Sequence, residues 1–409
     1  MGPDIVVTGA GIVSAIGIGK AETLRSLLSE RTGIAPLLYL SSPEAEGLPV
    51  GEVKLTCESM KHRLGIDREP TTRTGLMGMM ALEEAVSEAA LTPCGERVAL
   101  VSGTTVGGMD KSEQYYLDFL AGDSRNDYIL THDCGSTTEF VAGHSPQRLP
   151  SGDASGFDGL FTLLTTPSTA CSSAANAIVM GALLLRSGMA DVAVVGGAEC
   201  ISRFHLNGFN SLMILDHRQC RPFDASRAGL NLGEGAAYIV LETCVHALRR
   251  GTKPLARLAG YGNACDAFHQ TASSDDGEGA FLAMQKALRT AGLHPSDIDY
   301  VNAHGTGTPN NDASESQALR RLFGSALPPV SSTKGFTGHT TSASGSVEAV
   351  ICLLALQHGF IPSNYGFTTP MADGIVPAAH VETGRRLRHV LCNSFGFGGN
   401  DTSIVLSAM

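Results

Sequence analysis

The chain has no tryptophan, no closely spaced cysteine pair and no excess of basic residues. It also lacks any uninterrupted apolar run of about 18 residues, which excludes an ordinary membrane-spanning helix. Its ten cysteines fall at positions 57, 94, 134, 171, 200, 220, 244, 265, 352 and 392, with no Cys-x-x-Cys among them. That scatter supports neither a structural zinc site nor a disulfide framework. No charged-then-apolar leader opens the sequence, so reduced thiols in a cytoplasm are expected. Lys and Arg number 29 against 40 Asp and Glu, for a net charge of −11. The balance argues against broad nucleic-acid binding, and any acidic partner would need a local basic patch. What is abundant is glycine, 48 of 409 residues, with 43% hydrophobic residues, the composition of a compact enzyme.

Apolar strand-like runs alternate with helix-like ones along the whole length. Strands are expected at 4–9, 97–101, 160–164, 191–197 and 236–241, then again at 255–261, 299–302, 389–392 and 403–406. Helices are expected at 21–28, 76–90, 174–185, 281–291 and 347–357. Continuous apolar strands between helices imply an α/β protein whose mostly parallel or mixed sheet is covered on both faces. The turn around Thr169-Ala170-Cys171-Ser172-Ser173-Ala174 and the turn from Gly338 to Val347 each open an apolar helix, which suggests a duplicated unit. Gly9-Ala10-Gly11-Ile12-Val13-Ser14 mimics a dinucleotide-binding fingerprint, yet no acidic residue follows at a strand end about 20 positions on.

Cys171 is the residue on which the chemistry turns. It lies between a β-leaning stretch and a helix rich in Ala, Leu and Met, hence on a strand-to-helix turn. The unpaired N–H groups and positive dipole end there should favour a thiolate and receive developing negative charge. Four further clusters carry polar residues: Asn302-Ala303-His304-Gly305-Thr306-Gly307-Thr308-Pro309-Asn310-Asn311-Asp312, the run from Ser331 through Thr333-Lys334 to Gly338-His339, Asn393-Ser394-Phe395-Gly396-Phe397-Gly398-Gly399-Asn400-Asp401, and Gly229-Leu230-Asn231-Leu232-Gly233-Glu234-Gly235.

With Thr-Ala-Cys-Ser-Ser, these clusters occur in an order that resembles the elongating β-ketoacyl-acyl carrier protein synthases of the thiolase superfamily, from Ile5 to Leu406. The resemblance implies a thiolase-like duplicated αβαβα fold, with an N-terminal half, 1–250, carrying the nucleophile and a C-terminal half, 251–409, carrying both histidines. It implies that Cys171 takes an acyl chain as a thioester and that His304 and His339 hydrogen-bond the malonyl thioester carbonyl. Lys334 would orient this centre, paired with Glu315. The N–H groups of Cys171 and Phe397 would form an oxyanion hole, with Phe397 as a gate. Thr306 and Thr308 would hold a pantetheine arm, while Val106, Phe209 and Phe395 would line the substrate path. Arg68 and Arg73 fall near where such enzymes keep docking cations, with Lys61 and Arg63 close by. The expected reaction is decarboxylative condensation with a malonyl group on an acyl carrier protein, extending the chain by two carbons in fatty acid or polyene and polyketide synthesis. No bound cofactor or metal is implied; phosphopantetheine arrives with the carrier. A homodimer is the family default, a heterodimer with a related subunit the variant.

The sequence departs from the family pattern in a longer stretch over 145–170, in Ser342 for a usual glycine, and in Asn400-Asp401 for Thr-Asn. A non-catalytic chain-length partner subunit and a thioester hydrolase are the other readings. The first should lack the nucleophile, and the second would not require His339 or Lys334.

Overall fold

A computed structural model describes residues 2–40, 42, 47–66, 70–92, 95–122, 130–143 and 159–409. Much of the longer stretch over 145–170 therefore lies outside the described residues. Besides a two-residue strand, Gly17–Ile18, that pairs with the first, the N-terminal half supplies five strands to the main sheet: β1 (Ile5–Ser14), β2 (Val98–Gly103), β3 (Phe161–Thr165), β4 (Val192–Glu199) and β5 (Gly235–Thr243). The C-terminal half supplies β6 (Ala256–Cys265), β7 (Tyr300–Asn302), β8 (Val330–Ser331), β9 (His389–Gly396) and β10 (Asn400–Ser407). Their spatial order is β8-β7-β9-β10-β6-β1-β5-β4-β2-β3. From either edge inward, each half repeats one order, with β3-β2-β4-β5-β1 matching β8-β7-β9-β10-β6.

Pairing is parallel at the flanks, where β2 lies between β3 and β4 and β7 between β8 and β9. It is antiparallel through the centre, from β9 to β4. The sheet is thus mixed. Apolar runs reveal that strands are buried on both faces, but they do not encode the direction of pairing.

Six helices matter for the layers: α1 (Arg73–Glu88), α2 (Ser173–Arg186), α3 (Arg203–Ser211), α4 (Glu278–Ala291), α5 (Pro309–Phe323) and α6 (Ser344–His358). Alternate residues of each strand face different layers, as the two-residue pleat requires. Val192 and Val194 join the core under α1, whereas Ala193 and Val195 join the central core with Ile178 of α2 and Val350 of α6. On the far side, Val301, Leu391 and Val405 pack against Met284 and Leu319 of α4 and α5. With each half of the sheet as one layer, helix, half-sheet, helix pair, half-sheet, helix is the αβαβα succession.

The first-strand glycines answer to packing. A Cβ on Gly9 would sit 2.2 Å from the Ala85 carbonyl oxygen, and one on Gly11 would sit 2.0 Å from that of Ala81. They let α1 lie directly on β1, which accounts for the fingerprint-like spacing without any phosphate. Gly345 plays a comparable part between α2 and α6, since a Cβ there would fall 2.6 Å from the Ala175 nitrogen. Two helix N-termini are thereby brought together at the middle of the molecule.

Candidate active site

Cys171 lies two residues before α2, just after Ala170, whose φ of 50° places it in the left-handed region. Ser173 braces the turn: its hydroxyl donates to the Ala170 carbonyl at 2.6 Å and accepts from the Thr169 N–H at 2.8 Å. The thiol is buried, and burial pushes it up to about 12, opposed by Lys334 and by the Phe397 N–H that donates to it. Burial in a site 5% exposed thus opposes the thiolate that the helix end favours, so a base beside the sulfur matters.

That base is within reach. Nε2 of His339 lies 3.1 Å from the Cys171 sulfur. His304 approaches the same imidazole edge-on, with centroids 5.3 Å apart and planes at 82°. Both histidines are held well below their usual range, first by burial and then by Lys334, so both are neutral. Lys334, 1% exposed, stands behind His304: its ammonium donates to the His304 carbonyl at 2.5 Å and reaches Nδ1 at 3.4 Å. An ammonium cannot accept, so Nδ1 is the acceptor and the His304 proton sits on Nε2.

The ion partner of Lys334 is Glu348, at 2.5 Å, not Glu315. Glu315 instead accepts from the backbone N–H groups of His304 and Gly305 at 2.9 and 2.8 Å, and from the Asn393 amide at 3.1 Å. It fixes the strand end carrying His304, whereas α6 begins beside His339 and carries Glu348 inward. Burial raises the Glu348 carboxyl to about 7 against the pull of Lys334. The sequence held a sign of this role: Glu348 is the only charged residue in the apolar α6, and a buried charge needs a partner.

These groups open onto a cavity of about 320 Å³. Cys171, His304, His339, Thr306, Thr308, Phe209, Phe395 and Phe397 all line it, so the structure gathers most of the expected site into one place. Thr306 and Thr308 hydrogen-bond each other at 2.9 Å. Phe209 of α3 stacks on Phe397 at 5.9 Å and 21°, and Phe395 packs against His304 at 5.6 Å. Leu230, of the glycine-flanked cluster at 229–235, also lines it, as do Leu212, Ile214 and the segment 271–273, which the sequence did not mark. Val106 is not among the lining residues.

The docking cations fare differently. Arg73 is buried, and its Nε donates to Glu234 of the Gly-Glu-Gly cluster at 2.9 Å. Two further guanidinium bonds go to the carbonyls of Leu55 and Val53, so Arg73 holds the fold and offers no charge to a partner. Lys61 pairs with Glu58 at 3.5 Å, Arg63 is exposed, and Arg68 lies outside the described residues. Two departures from the family pattern also acquire partners. The Asn400 side-chain oxygen accepts from Ser172, Asn176 and Asn263, and the Ser342 hydroxyl donates to buried Glu199 at 2.5 Å.

Comparison with known proteins agrees with this geometry. Residues 3–247 match the model of the beta-ketoacyl synthase N-terminal domain, and residues 255–368 that of the C-terminal domain. The chain is 35% identical to 3-oxoacyl-[acyl-carrier-protein] synthase 2 of Rhizobium meliloti, covering 98% of each chain. It is 33% identical to nodulation protein E of the same species, covering 97% of each. Among solved structures, the ishigamide ketosynthase/chain length factor superposes with a TM-score of 0.89 at 30% identity over the whole of both chains. A ketosynthase in complex with its chain length factor from Xenorhabdus doucetiae gives 0.81 at 30% identity, over 100% of this chain and 98% of that one. Both domain models, relatives at 33–35% identity over nearly the whole chain, and a cavity holding Cys171 and two neutral histidines with a buried lysine behind them place this chain in the β-ketoacyl synthase family of condensing acyltransferases.

Proposed function

We propose that the protein is a β-ketoacyl-acyl carrier protein synthase that joins an acyl group on Cys171 to a malonyl group delivered by a carrier. The observation that carries this reading is the approach of His339 Nε2 to the Cys171 sulfur, with His304 edge-on and Lys334 behind it. In the first half-reaction the sulfur attacks the acyl thioester and the carrier leaves as a thiol. In the second, the malonyl group loses CO2 and the carbanion attacks the acyl carbonyl on Cys171. The enolate oxygen takes hydrogen bonds from neutral imidazoles, which stabilise it without giving up a proton. One such donor typically contributes about 3 kcal/mol. The Phe397 N–H, already aimed at the sulfur, is placed to receive the oxyanion of the acyl carbonyl.

The arm carrying each thioester is phosphopantetheine on the carrier protein, entering past Thr306 and Thr308; no metal or organic cofactor resides in the protein. The two halves, 1–250 and 251–409, each contribute catalytic groups. Arg63 and Arg68 are the candidates for docking, and Val106 for limiting chain length. The protein acts in the cytoplasm as a homodimer or with a related subunit. Among the described residues, no helix is long and apolar enough to cross a membrane. A chain-length partner without chemistry is disfavoured, because the nucleophile and both histidines are present.

The test is incubation with an acyl-carrier thioester and, separately, with malonyl-carrier protein. Mass gain on Cys171, followed by a product two carbons longer, is the expected result. CO2 release with no acylation from any acyl donor would instead favour the partner-subunit reading.

A further inference from the structure

We propose that Ser344 is a positioning residue that lets His339 serve as base in acyl transfer in one tautomer and as hydrogen-bond donor in condensation in the other. The inference rests on the condensing activity just described and adds a residue to it. The Ser344 hydroxyl lies 3.0 Å from His339 Nδ1 and 3.3 Å from the Thr340 hydroxyl, buried at the first position of α6. On the other side of the ring, Nε2 faces the Cys171 sulfur at 3.1 Å.

The two half-reactions ask opposite things of Nε2. To take the thiol proton it must offer a lone pair, so the ring proton must sit on Nδ1. To donate to an enolate it must carry the proton, leaving a lone pair on Nδ1. A backbone N–H or carbonyl beside Nδ1 would support only one of these states. A hydroxyl supports both, accepting from Nδ1–H or donating to the bare nitrogen by rotating its own proton. Thr340 is in reach of that hydroxyl as it turns.

The acyl transfer balances. The bond from Cys171 sulfur to the acyl carbon forms as the bond from the carrier sulfur breaks. The Cys171 proton passes through Nε2 to the departing carrier sulfur, and His339 returns to its starting state. Between half-reactions the ring changes tautomer, giving the Nδ1 proton to the Ser344–Thr340 hydroxyl pair and taking one at Nε2 from the cavity side. A thiol pushed up to about 12 has little thiolate at neutral pH, which is why a base is wanted. The groups acting on this pair are His304, His205 and Lys334 around the imidazole, and Lys334, Glu199 and Glu348 around the thiol.

Replacing Ser344 leaves Nδ1 in a dry site. A bare lone pair there is tolerated better than an unpaired N–H, so the Ser344→Ala protein should hold its proton on Nε2. Single-turnover acylation of Cys171 should then fall by about 10–100-fold, while CO2 release from malonyl-carrier protein falls by less than about 3-fold. The acylation rate of the variant should climb steeply with pH, following ionisation of the thiol itself, where the native rate is nearly flat. Ser344→Thr, which keeps the hydroxyl, should recover acylation, and Ser344→Gly should repeat the loss with a different packing change. Equal losses in both steps, loss in neither, or a pH profile unchanged from the native one would overturn the proposal. Native protein that does not acylate at all would instead overturn the condensing reading beneath it.

Discussion

The two halves carry the same turn, and the same turn does different work in each. In the N-terminal half Ala170, with φ of 50°, stands three residues before the first residue of α2. In the C-terminal half Thr341, with φ of 46°, stands three residues before the first residue of α6. The residue after the left-handed position is Cys171 in one and Ser342 in the other. Cys171 faces the cavity beside His339. Ser342 donates to Glu199, which also accepts from the Thr104 hydroxyl at 2.8 Å and the Thr105 N–H at 2.8 Å. The repeat presents two side chains: Cys171, the proposed nucleophile, faces the cavity, and Ser342 ties the halves together. The C-terminal half keeps its chemistry three residues upstream of Ser342, at His339.

The comparison is broken most severely by exchanging roles at the two presented positions. Cys171→Ala should abolish the acyl-enzyme, a loss of at least about 10⁴-fold in condensation, with CO2 release from malonyl-carrier protein retained. Ser342→Ala should leave acylation in place and lower stability by about 1–2 kcal/mol, since Glu199 loses one of its donors. Intact-mass analysis and urea denaturation separate the two. An acyl-enzyme that forms in Cys171→Ala, or fails in a folded Ser342→Ala, would remove the assignment.

The next effect in size concerns the pair behind His304. Glu348→Gln leaves the Lys334 ammonium buried against a neutral amide, and breaking a buried pair of this kind costs about 3–5 kcal/mol. The urea midpoint should fall accordingly, with CO2 release falling as His304 loses its anchored partner. The double variant Lys334→Met, Glu348→Leu should recover much of the stability but none of the CO2 release. Glu315→Gln should leave Lys334 paired; if it behaves like Glu348→Gln, the pairing described above is wrong.

The same pair shows where the sequence was legible and where it stopped. Clusters of side chains next to one another, such as Cys171 in its turn or His304 in its strand end, stand out because local spacing is itself the signal. The order of elements and the two-fold repeat were legible for the same reason. Which carboxylate meets Lys334 depends on how α6 packs on the sheet, a contact between segments; the resemblance pointed to Glu315, and Glu348 is the partner once α6 is placed. Arg73 failed for a related reason: exposure is decided by Glu234, 161 positions away, and a lone charge just before an expected helix reads as solvated until that partner is placed. The thiolate expectation rested on the helix dipole, a local property; the burial that opposes it belongs to the assembled cavity.

The finest distinction between the turns lies in the left-handed residues. A non-glycine residue in that region costs roughly 1–3 kcal/mol, at the higher end for a β-branched side chain. Thr341 is β-branched, and its hydroxyl oxygen is buried without a hydrogen-bond partner among the described residues. Ala170 carries neither burden. Glycine at either position relieves the backbone but adds freedom to the unfolded chain, which opposes the gain by up to about 1 kcal/mol. For Ala170→Gly the terms nearly cancel, and stability should stay within about 0.5 kcal/mol of the native value. For Thr341→Gly the larger strain and the stranded hydroxyl both disappear, and stability should rise by about 1 kcal/mol. Urea midpoints at constant slope measure both. A gain at Thr341 absent at Ala170 would mean that the C-terminal turn tolerates a strained residue the N-terminal turn avoids, in the half that does not present the nucleophile. Equal responses would mean that side-chain identity at this position carries no energetic difference, and that the turns differ only in the residue that follows.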